Sequence, residues 1–325
     1  MAQQDAGTGA PGTTSLILST RNRPAFAVAA VRSALAGHEV PTEIVVVDQS
    51  DLENAEFATW TADPRCTLRY RWKPARGLSL GRNTGIAAST GEILLFIDDD
   101  VLVPPEWLGR LVASVRRAGE RAVVTGRTVG GEPETPGAFA PSLHLDPRPT
   151  VHRGRPGRDV LLPMNMGFFR SAVAEVGGFD ERLGVGARFP SSEDNDFGFR
   201  LLEAGFDIVY DPEVLIVHRA WRRPTALLPL RWAYGRGQGA YYAKYWSWRD
   251  RYMARRLGWD VGRHLKRAVR RLRSDPKAAS ADAVYSLAVL TGAAQWELLG
   301  WQARASQLRV SQIRAGRQPR PERDR

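Results

Sequence analysis

The chain has 325 residues, 43% of them hydrophobic and 25% charged, enough to bury a sizeable core in one large domain or two of ordinary size. Its one cysteine, Cys66, excludes an intramolecular disulfide and any cysteine-based zinc cluster, and reads as a small apolar residue in a reducing compartment. The formal net charge of +11 is unevenly placed: from Arg219 to the end there are 24 Lys and Arg against 7 Asp and Glu, and the rest is mildly acidic.

The first dozen residues, "MAQQDAGTGAPG", have neither a basic start nor an apolar run, so residues 1–13 are expected to be a flexible tail and not a signal peptide. From residue 14 short apolar runs alternate with helix-length stretches. "TSLILST" predicts a buried strand, and "PAFAVAAVRSALAG" predicts a helix with Pro24 near its first position and Gly37 at its stop. "EIVVVDQS" predicts a strand, "ENAEFATW" a helix, "TLRYRW" a strand and "SLGRNTGIAAS" a helix, before the strand "EILLFIDDD". Continuous Val/Ile/Leu runs separated by helical spacers predict an α/β fold with a parallel sheet covered on both faces. Ligands of such sheets bind beyond the carboxyl ends of the strands. That rule gathers "STRNR", Asp48 and the acids Asp98, Asp99 and Asp100 at one rim.

Further along, "PPEWLGRLVASVRRAG" predicts a helix and "RAVVTGRTV" a strand. Residues 130–160, rich in Gly, Pro and Arg, predict a long surface loop. Order resumes with "VLLPMNMGFFRSAVAEVGGFDERL", then "SSEDNDFGFRLLEAG" as a helix ending at Gly205 and "FDIVYDPEVLIVHR" as two short extended runs.

Adjacent carboxylates at a strand end must be protonated, solvated or neutralised by a cation, and a hard divalent ion does this with oxygen ligands. Taken alone, "DDD" also suits a solvated turn. Likewise Asp48 suits a turn or N-cap acid, Arg82 a solvated helix arginine, and His218 a hydrogen-bonded structural histidine. Ser191 or Ser192 followed by acids suits an ordinary helix start. The loops G-x-x-x-x-G-K-[ST] and G-x-G-x-x-G are missing, as are H-E-x-x-H and G-x-S-x-G, which removes the usual phosphate-loop, zinc-protease and serine-hydrolase readings.

From about Thr14 to about Arg219 the ordered set "STRNRP", "EIVVVDQS", "GLSLGRNTGIAASTGEILLFIDDD", "MNMGFFRSAVAEVGGFDERL" and "SSEDNDFGFRLLEAG" resembles the inverting family 2 glycosyltransferases of the GT-A fold. The resemblance implies a sugar transfer from a nucleotide-sugar donor to an acceptor hydroxyl, dependent on Mg²⁺ or Mn²⁺. It makes the acid triplet a DXD motif, with Asp100 on the metal, Asp98 supporting the donor ribose or metal shell, and Asp99 the spare acid on the donor side. Thr20 and Arg21 would lie in the donor loop, where Arg21 replaces a common aromatic. Asp48 would accept from the nucleotide base, and Arg82 would contact the donor. Asp194 of the "ED" pair would be the catalytic base, with Glu193 beside it in the acceptor region and Asp196 structural. His218 would add to the metal shell, Asn165 would contact a sugar hydroxyl, and Gly177 and Gly178 would mark a turn.

The domain so defined spans residues 14–219 and leaves 220–325 as a helical, basic region with a disordered end. That region holds seven of the ten tryptophans, and "VGRHLKRAVRRLRS" places Val261, Leu265, Val269 and Leu272 on one stripe of a basic amphipathic helix. Such a helix either packs on the catalytic domain with a solvated basic face or attaches to an anionic membrane. The second reading implies a cytoplasmic protein, peripheral at the inner face of the plasma membrane, acting on a lipid-linked or envelope glycan. Nucleic acid is not the expected partner, because no binding motif accompanies the charge. Two rival functions remain: a nucleotidyltransferase, which would release pyrophosphate, and a non-enzymatic basic adaptor for anionic membrane or nucleic acid.

Overall fold

The computed structural model describes residues 10–60, 63–133, 136–219 and 221–315, with side chains described from 12 to 300. In chain order the elements are β1 (Ala10–Thr20), α1 (Pro24–Leu35), β2 (Glu43–Asp48), α2 (Ala55–Ala58), β3 (Thr67–Trp72), α3 (Leu78–Ala88), β4 (Gly91–Asp98), β5 (Val101–Leu102), α4 (Trp107–Ala118), β6 (Ala122–Gly130), β7 (Thr150–His152), β8 (Asn165–Phe169), α5 (Ser171–Val176), α6 (Glu193–Glu203), β9 (Asp207–His218), α7 (Leu227–Lys244), α8 (Tyr252–Arg271) and α9 (Pro276–Ala315). They divide into two compact units, one through Leu230 and one from Arg231, which moves the boundary past the expected residue 219. Because β1 begins at Ala10, residues 10–13 belong to the sheet and not to a tail; residues 1–9 and 316–325, where the flexible start and the disordered end were expected, lie outside the described residues.

The strands of the first unit form a sheet in the order β3-β2-β1-β4-β8-β6-β9-β5, with β7 against β9. β1 to β4 pair in parallel, β8 runs antiparallel between β4 and β6, and β6 and β9 are again parallel. Successive side chains of a strand face opposite sides, and here both sides are dry. Leu16, Leu18, Ile44, Val46, Ile93 and Leu95 pack with α1 and α4 residues such as Val31, Trp107 and Leu111. Ile17, Val45, Leu94 and Phe96 pack with Ile86 of α3 and with Ala172, Phe197 and Leu201 of α5 and α6. Double coverage explains why these strands read as continuous apolar runs and not as alternating ones.

Two glycines set how closely α3 approaches the sheet. A Cβ on Gly85 would lie 2.3 Å from Ile17 Cγ2, and one on Gly81 would lie 2.7 Å from Ser19 Oγ. Any larger residue would lift the helix off β1 and carry away Arg82, which α3 holds over the strand ends.

Elsewhere the chain departs from the sequence expectations. "ENAEFATW" yields only the single turn α2, capped by Asn54 Oδ1 accepting from Glu56 N–H. The two runs expected in "FDIVYDPEVLIVHR" are one strand, β9, whose register against β6 shifts after Asp211. Pro212 follows there, has no N–H for the ladder, and so sits where a strand bulges. The 130–160 segment is tied down: β7 pairs with β9, Thr128 bridges to His144, and Tyr210 Oη donates to the Asp146 carbonyl at 2.6 Å.

Asn165, expected to meet a sugar hydroxyl, is instead fully buried. Its Oδ1 accepts from Trp107 Nε1 at 2.9 Å, and its Nδ2 donates to the carbonyls of Val214 at 2.8 Å and Arg127 at 3.2 Å. It ties α4, β6 and the bulge of β9 to β8 and cannot reach a ligand. Removing it strands an indole N–H and two carbonyls, so Asn165→Ala should lose about 3 kcal/mol in urea unfolding, at the cost of a stranded buried polar group or two; an unchanged midpoint would contradict this role.

Candidate active site

The carboxyl end of β4 delivers the three acids, and the loop after β1 delivers the groups that face them. Thr20 Oγ1 donates to Asp99 Oδ2 at 2.8 Å, and Arg23 Nη1 donates to Asp99 Oδ1 at 3.0 Å and to Asp100 Oδ2 at 2.8 Å. β5 turns back against β9, pairing Val101 with His218, and this sets His218 Nε2 3.3 Å from Asp100 Oδ1. Arg222 Nη2 lies 4.0 Å from Asp100 Oδ2. Thr20, Asp99, Asp100 and His218 are all buried.

Their shared burial separates the two neighbouring acids. Burial pushes Asp99 up to about 6, aided by the charge of Asp100 and opposed by Arg23 and Thr20. For Asp100 burial acts in the same direction but is outweighed by His218 and Arg23, which hold it down at about 2. Of these two, Asp100 holds its charge down into the acid range, while Asp99 takes up its proton at a higher pH.

Asp98, a quarter exposed at its side chain, takes another partner. Arg82 Nη2 donates to Asp98 Oδ1 at 2.9 Å, and Arg82 Nη1 donates to Glu193 Oε1 at 3.1 Å. Arg82 is 2% exposed, so the donor contact expected for it is corrected: its guanidinium is a buried clamp between β4 and α6. Glu193 is likewise corrected, since its buried carboxylate faces Arg82 and not an acceptor. The rings add to the clamp, with Arg82 Cζ 5.3 Å from the Phe179 centroid.

Asp194, the next residue, is only half-buried. Burial of its carboxyl and the adjacent charge of Glu193 raise it to about 8, against the pull of the Asn195 N–H and Arg82. Asn195 N–H donates to Asp194 Oδ1 at 2.9 Å. The helix begins from Ser192, whose φ of 69° is left-handed and whose side chain does not cap α6. A non-glycine residue in that region is strained, and such residues gather at functional sites. The acids thus occupy the first turn of α6 without a side-chain cap from Ser192. Asp196 pairs with Arg200 at 3.0 Å and is structural, as expected.

The remaining expected donor residues divide. Arg21, one third exposed at its side chain, donates to Asp51 Oδ1 at 2.9 Å and to the Ala75 carbonyl. Asp48 is buried, with Oδ1 accepting from Ser50 N–H at 2.9 Å and Oδ2 from Tyr70 Oη at 2.8 Å. Both oxygens are engaged by the loop and by β3, as a turn acid's would be. Thr20 similarly turns inward to Asp99. Sequence reasoning missed Arg23 and Arg222. Arg23 was visible as the second arginine of "STRNRP", immediately before the proline that starts α1; Arg222 lay past the boundary assumed at residue 219.

Among the described residues no three His, Cys, Asp or Glu side chains gather closely enough to hold a metal. Asp100 and His218 form a two-side-chain donor set, and His218 Nδ1 is buried without a partner. Such a set fits a hard cation that keeps most of its positions for phosphate oxygens and water. Arg23 addresses the same carboxylate oxygens that an ion would.

With this geometry in hand, comparison with known proteins places the chain. It belongs to glycosyl transferase family 2, whose description matches residues 15–177. It is 30% identical over 188 residues to a pre-mycofactocin glycosyltransferase of Mycobacterium tuberculosis, covering 54% of this chain and 37% of that protein. It is 26% identical over 203 residues to a glucosyl-dolichyl phosphate glucuronosyltransferase of Haloferax volcanii, covering 60% of this chain and 64% of the relative. The chain thus spans between about a third and two thirds of the length of these relatives. Among solved structures, GalNAc-T7 with UDP, GalNAc and Mn²⁺ superposes with a TM-score of 0.51 at 15% identity, over 78% of this chain and 50% of that one. S. aureus TarS 1–349 gives 0.50 at 14% identity, over 88% and 91%. The fold is GT-A, a mixed α/β sheet whose principal strands run parallel, with C-terminal helices.

Removing one partner of a buried ion pair leaves an uncompensated charge, so Arg82→Met should cost about 3–5 kcal/mol in denaturant unfolding. Arg82→Lys should recover only part of this, because an ammonium cannot reproduce the planar two-pronged contact. Full stability in the Met variant would show that the clamp is not structural.

Proposed function

We propose that this chain transfers a sugar from a nucleotide-sugar to an acceptor hydroxyl by a single displacement that inverts the anomeric centre, with Asp194 as the base. The observation that supports it most is the Arg82 bridge, which fastens Glu193, and with it the start of α6, to Asp98 at the tip of β4. One donor-side acid, Asp98, and the residue before the candidate base are thereby tied to one buried cation.

A single displacement needs a base to take the acceptor proton and a counter-charge for the departing diphosphate. Asp194 is partly buried and raised toward neutrality, as a base working near physiological pH requires. Asp100 and His218 would hold Mg²⁺ or Mn²⁺, which would supply the positive charge for the leaving group. Arg23 and Arg222 balance Asp100 from the other side. Arg21, one third exposed at its side chain on the loop after β1, would stack on a nucleotide base. Asp98 offers its remaining oxygen to the ribose, and Asp99 keeps Thr20 and Arg23 in position.

The acceptor class we favour is a lipid-linked glycan, since one relative is named for a dolichyl phosphate-linked sugar. No helix among the described residues is long and apolar enough to cross a membrane, so access to such an acceptor from the cytoplasmic side would be peripheral.

Asp194→Asn should lower kcat by about 10²–10⁴-fold, the usual contribution of a positioned base, while leaving donor affinity in calorimetry unchanged. In the wild type, kcat/KM should rise with pH and level off above about 8, because the base works only when deprotonated and its fold holds the proton tighter than water does. A flat profile between about pH 6 and 9, or normal turnover by the Asn variant, would remove Asp194 from the role. Separately, Asp100→Ala should abolish the Mn²⁺-dependent rise in melting temperature given by a nucleoside diphosphate; an undiminished rise would place the ion elsewhere.

A further inference from the structure

In the second unit, α8 is folded with its polar side inward. α8 carries four buried residues, Met253, Arg256, Asp260 and His264, and three of them are ionisable. Their partners come from within the same unit. Tyr285 Oη donates to Asp260 Oδ2 at 3.0 Å, His264 Nδ1 lies 2.6 Å from Asp282 Oδ1, and Arg231 and Arg271 reach the Asp282 carboxylate at 3.1 and 3.2 Å. Arg256 Nη1 donates to Tyr241 Oη at 3.3 Å. This network, and not a strip of leucines, joins α7, α8 and α9.

The opposite side of α8 is apolar and bare. Leu265, Val269 and Leu272 are 47%, 75% and 66% exposed, and Gly258 and Gly262 continue their line one and two turns earlier. Trp259 is also exposed, at the edge of this line. The stripe recurs at the spacing of three and four residues that keeps side chains on one helix face. Lys266, Arg270, Arg255 and Arg273 flank it, all exposed. The turn between α7 and α8 exposes Trp246 and Trp248 as well. An amphipathic helix normally buries its apolar stripe and wets its charges; here the partnered face is the charged one.

We propose that the outward stripe of α8 lies in the interface of an anionic bilayer, with Leu265, Val269 and Leu272 among the acyl chains and Lys266, Arg270 and Arg273 on the headgroups. The charge argues for this occupant. A second copy of the chain would bring its own cations against these, whereas an anionic lipid surface neutralises them, each contributing about 1 kcal/mol near the surface. An apolar line edged by cations and tryptophan is the composition of helices that lie in the interface plane. The unit does not depend on the sugar transfer reaction, so its failure and that of the transfer reading are separable.

The test is sedimentation of the full chain with vesicles of phosphatidylcholine alone or doped with phosphatidylglycerol. Binding is expected only to the doped vesicles. Val269→Asp with Leu272→Asp should weaken it at least about tenfold, and Lys266→Glu with Arg270→Glu and Arg273→Glu about a hundredfold. Both sets are exposed and should keep the wild-type unfolding midpoint, and Asp100→Ala should bind as the wild type does. Absence of binding to the doped vesicles, or equal binding by the charge-reversed variant, would overturn the proposal. So would a dimer abolished by Val269→Asp with Leu272→Asp, or tight binding of single-stranded RNA, when either occurs without vesicle binding.

Discussion

One buried guanidinium sets the geometry of the first unit. Arg82 is almost wholly removed from water, and an unpaired cation there would carry a desolvation cost of several kcal/mol. It stays charged because Asp98 and Glu193 together outweigh that burial. The pairing imposes a requirement on two distant pieces of chain: β4 must end beside α3, and α6 must begin there. At that meeting lie the strained Ser192 that turns the chain into α6 and the partly buried Asp194 directly after the clamp.

The same principle divides labour among acids that a sequence shows only as neighbours. Asp98 is spoken for by Arg82, Asp99 by Thr20 and Arg23, and Asp100 by His218 and Arg23. Burial raises both buried acids, and the partners at hand decide how far: His218 and Arg23 hold Asp100 at about 2, while Asp99 rises to about 6. Arg23 supplies in the protein alone part of the positive charge that this rim requires.

Much of this was legible from residue order. Apolar runs announced a doubly covered sheet, and the strand-end rule gathered the loop after β1, the acids and the ligand rim before any contact was known. His218 lies beside Asp100 because β5 folds back on β9, a pairing that residue order alone did not show. What escaped was direction. A motif says that Arg82, Glu193 and Asn165 lie near a site, but burial decides whether they face a ligand, and all three face protein. Asp48 was open to two readings, and its carboxylate is engaged by Tyr70 and the Ser50 amide. Pro212 could have warned that β9 bulges where two strands were expected. In the second unit the stripe on α8 was readable, but no periodicity could say that its polar face would be the buried one, since that depends on Asp282 and Tyr285 arriving from α9.

The central claim is that an acid held at the start of α6 acts across from a diphosphate held at the tip of β4. It is tested most directly by the stereochemistry of slow donor hydrolysis, with water as acceptor and the first-formed sugar anomer followed by NMR in the presence of Mn²⁺. The account predicts release of a nucleoside diphosphate and a sugar of configuration opposite to that in the donor. Retention of configuration, or release of pyrophosphate, would contradict it.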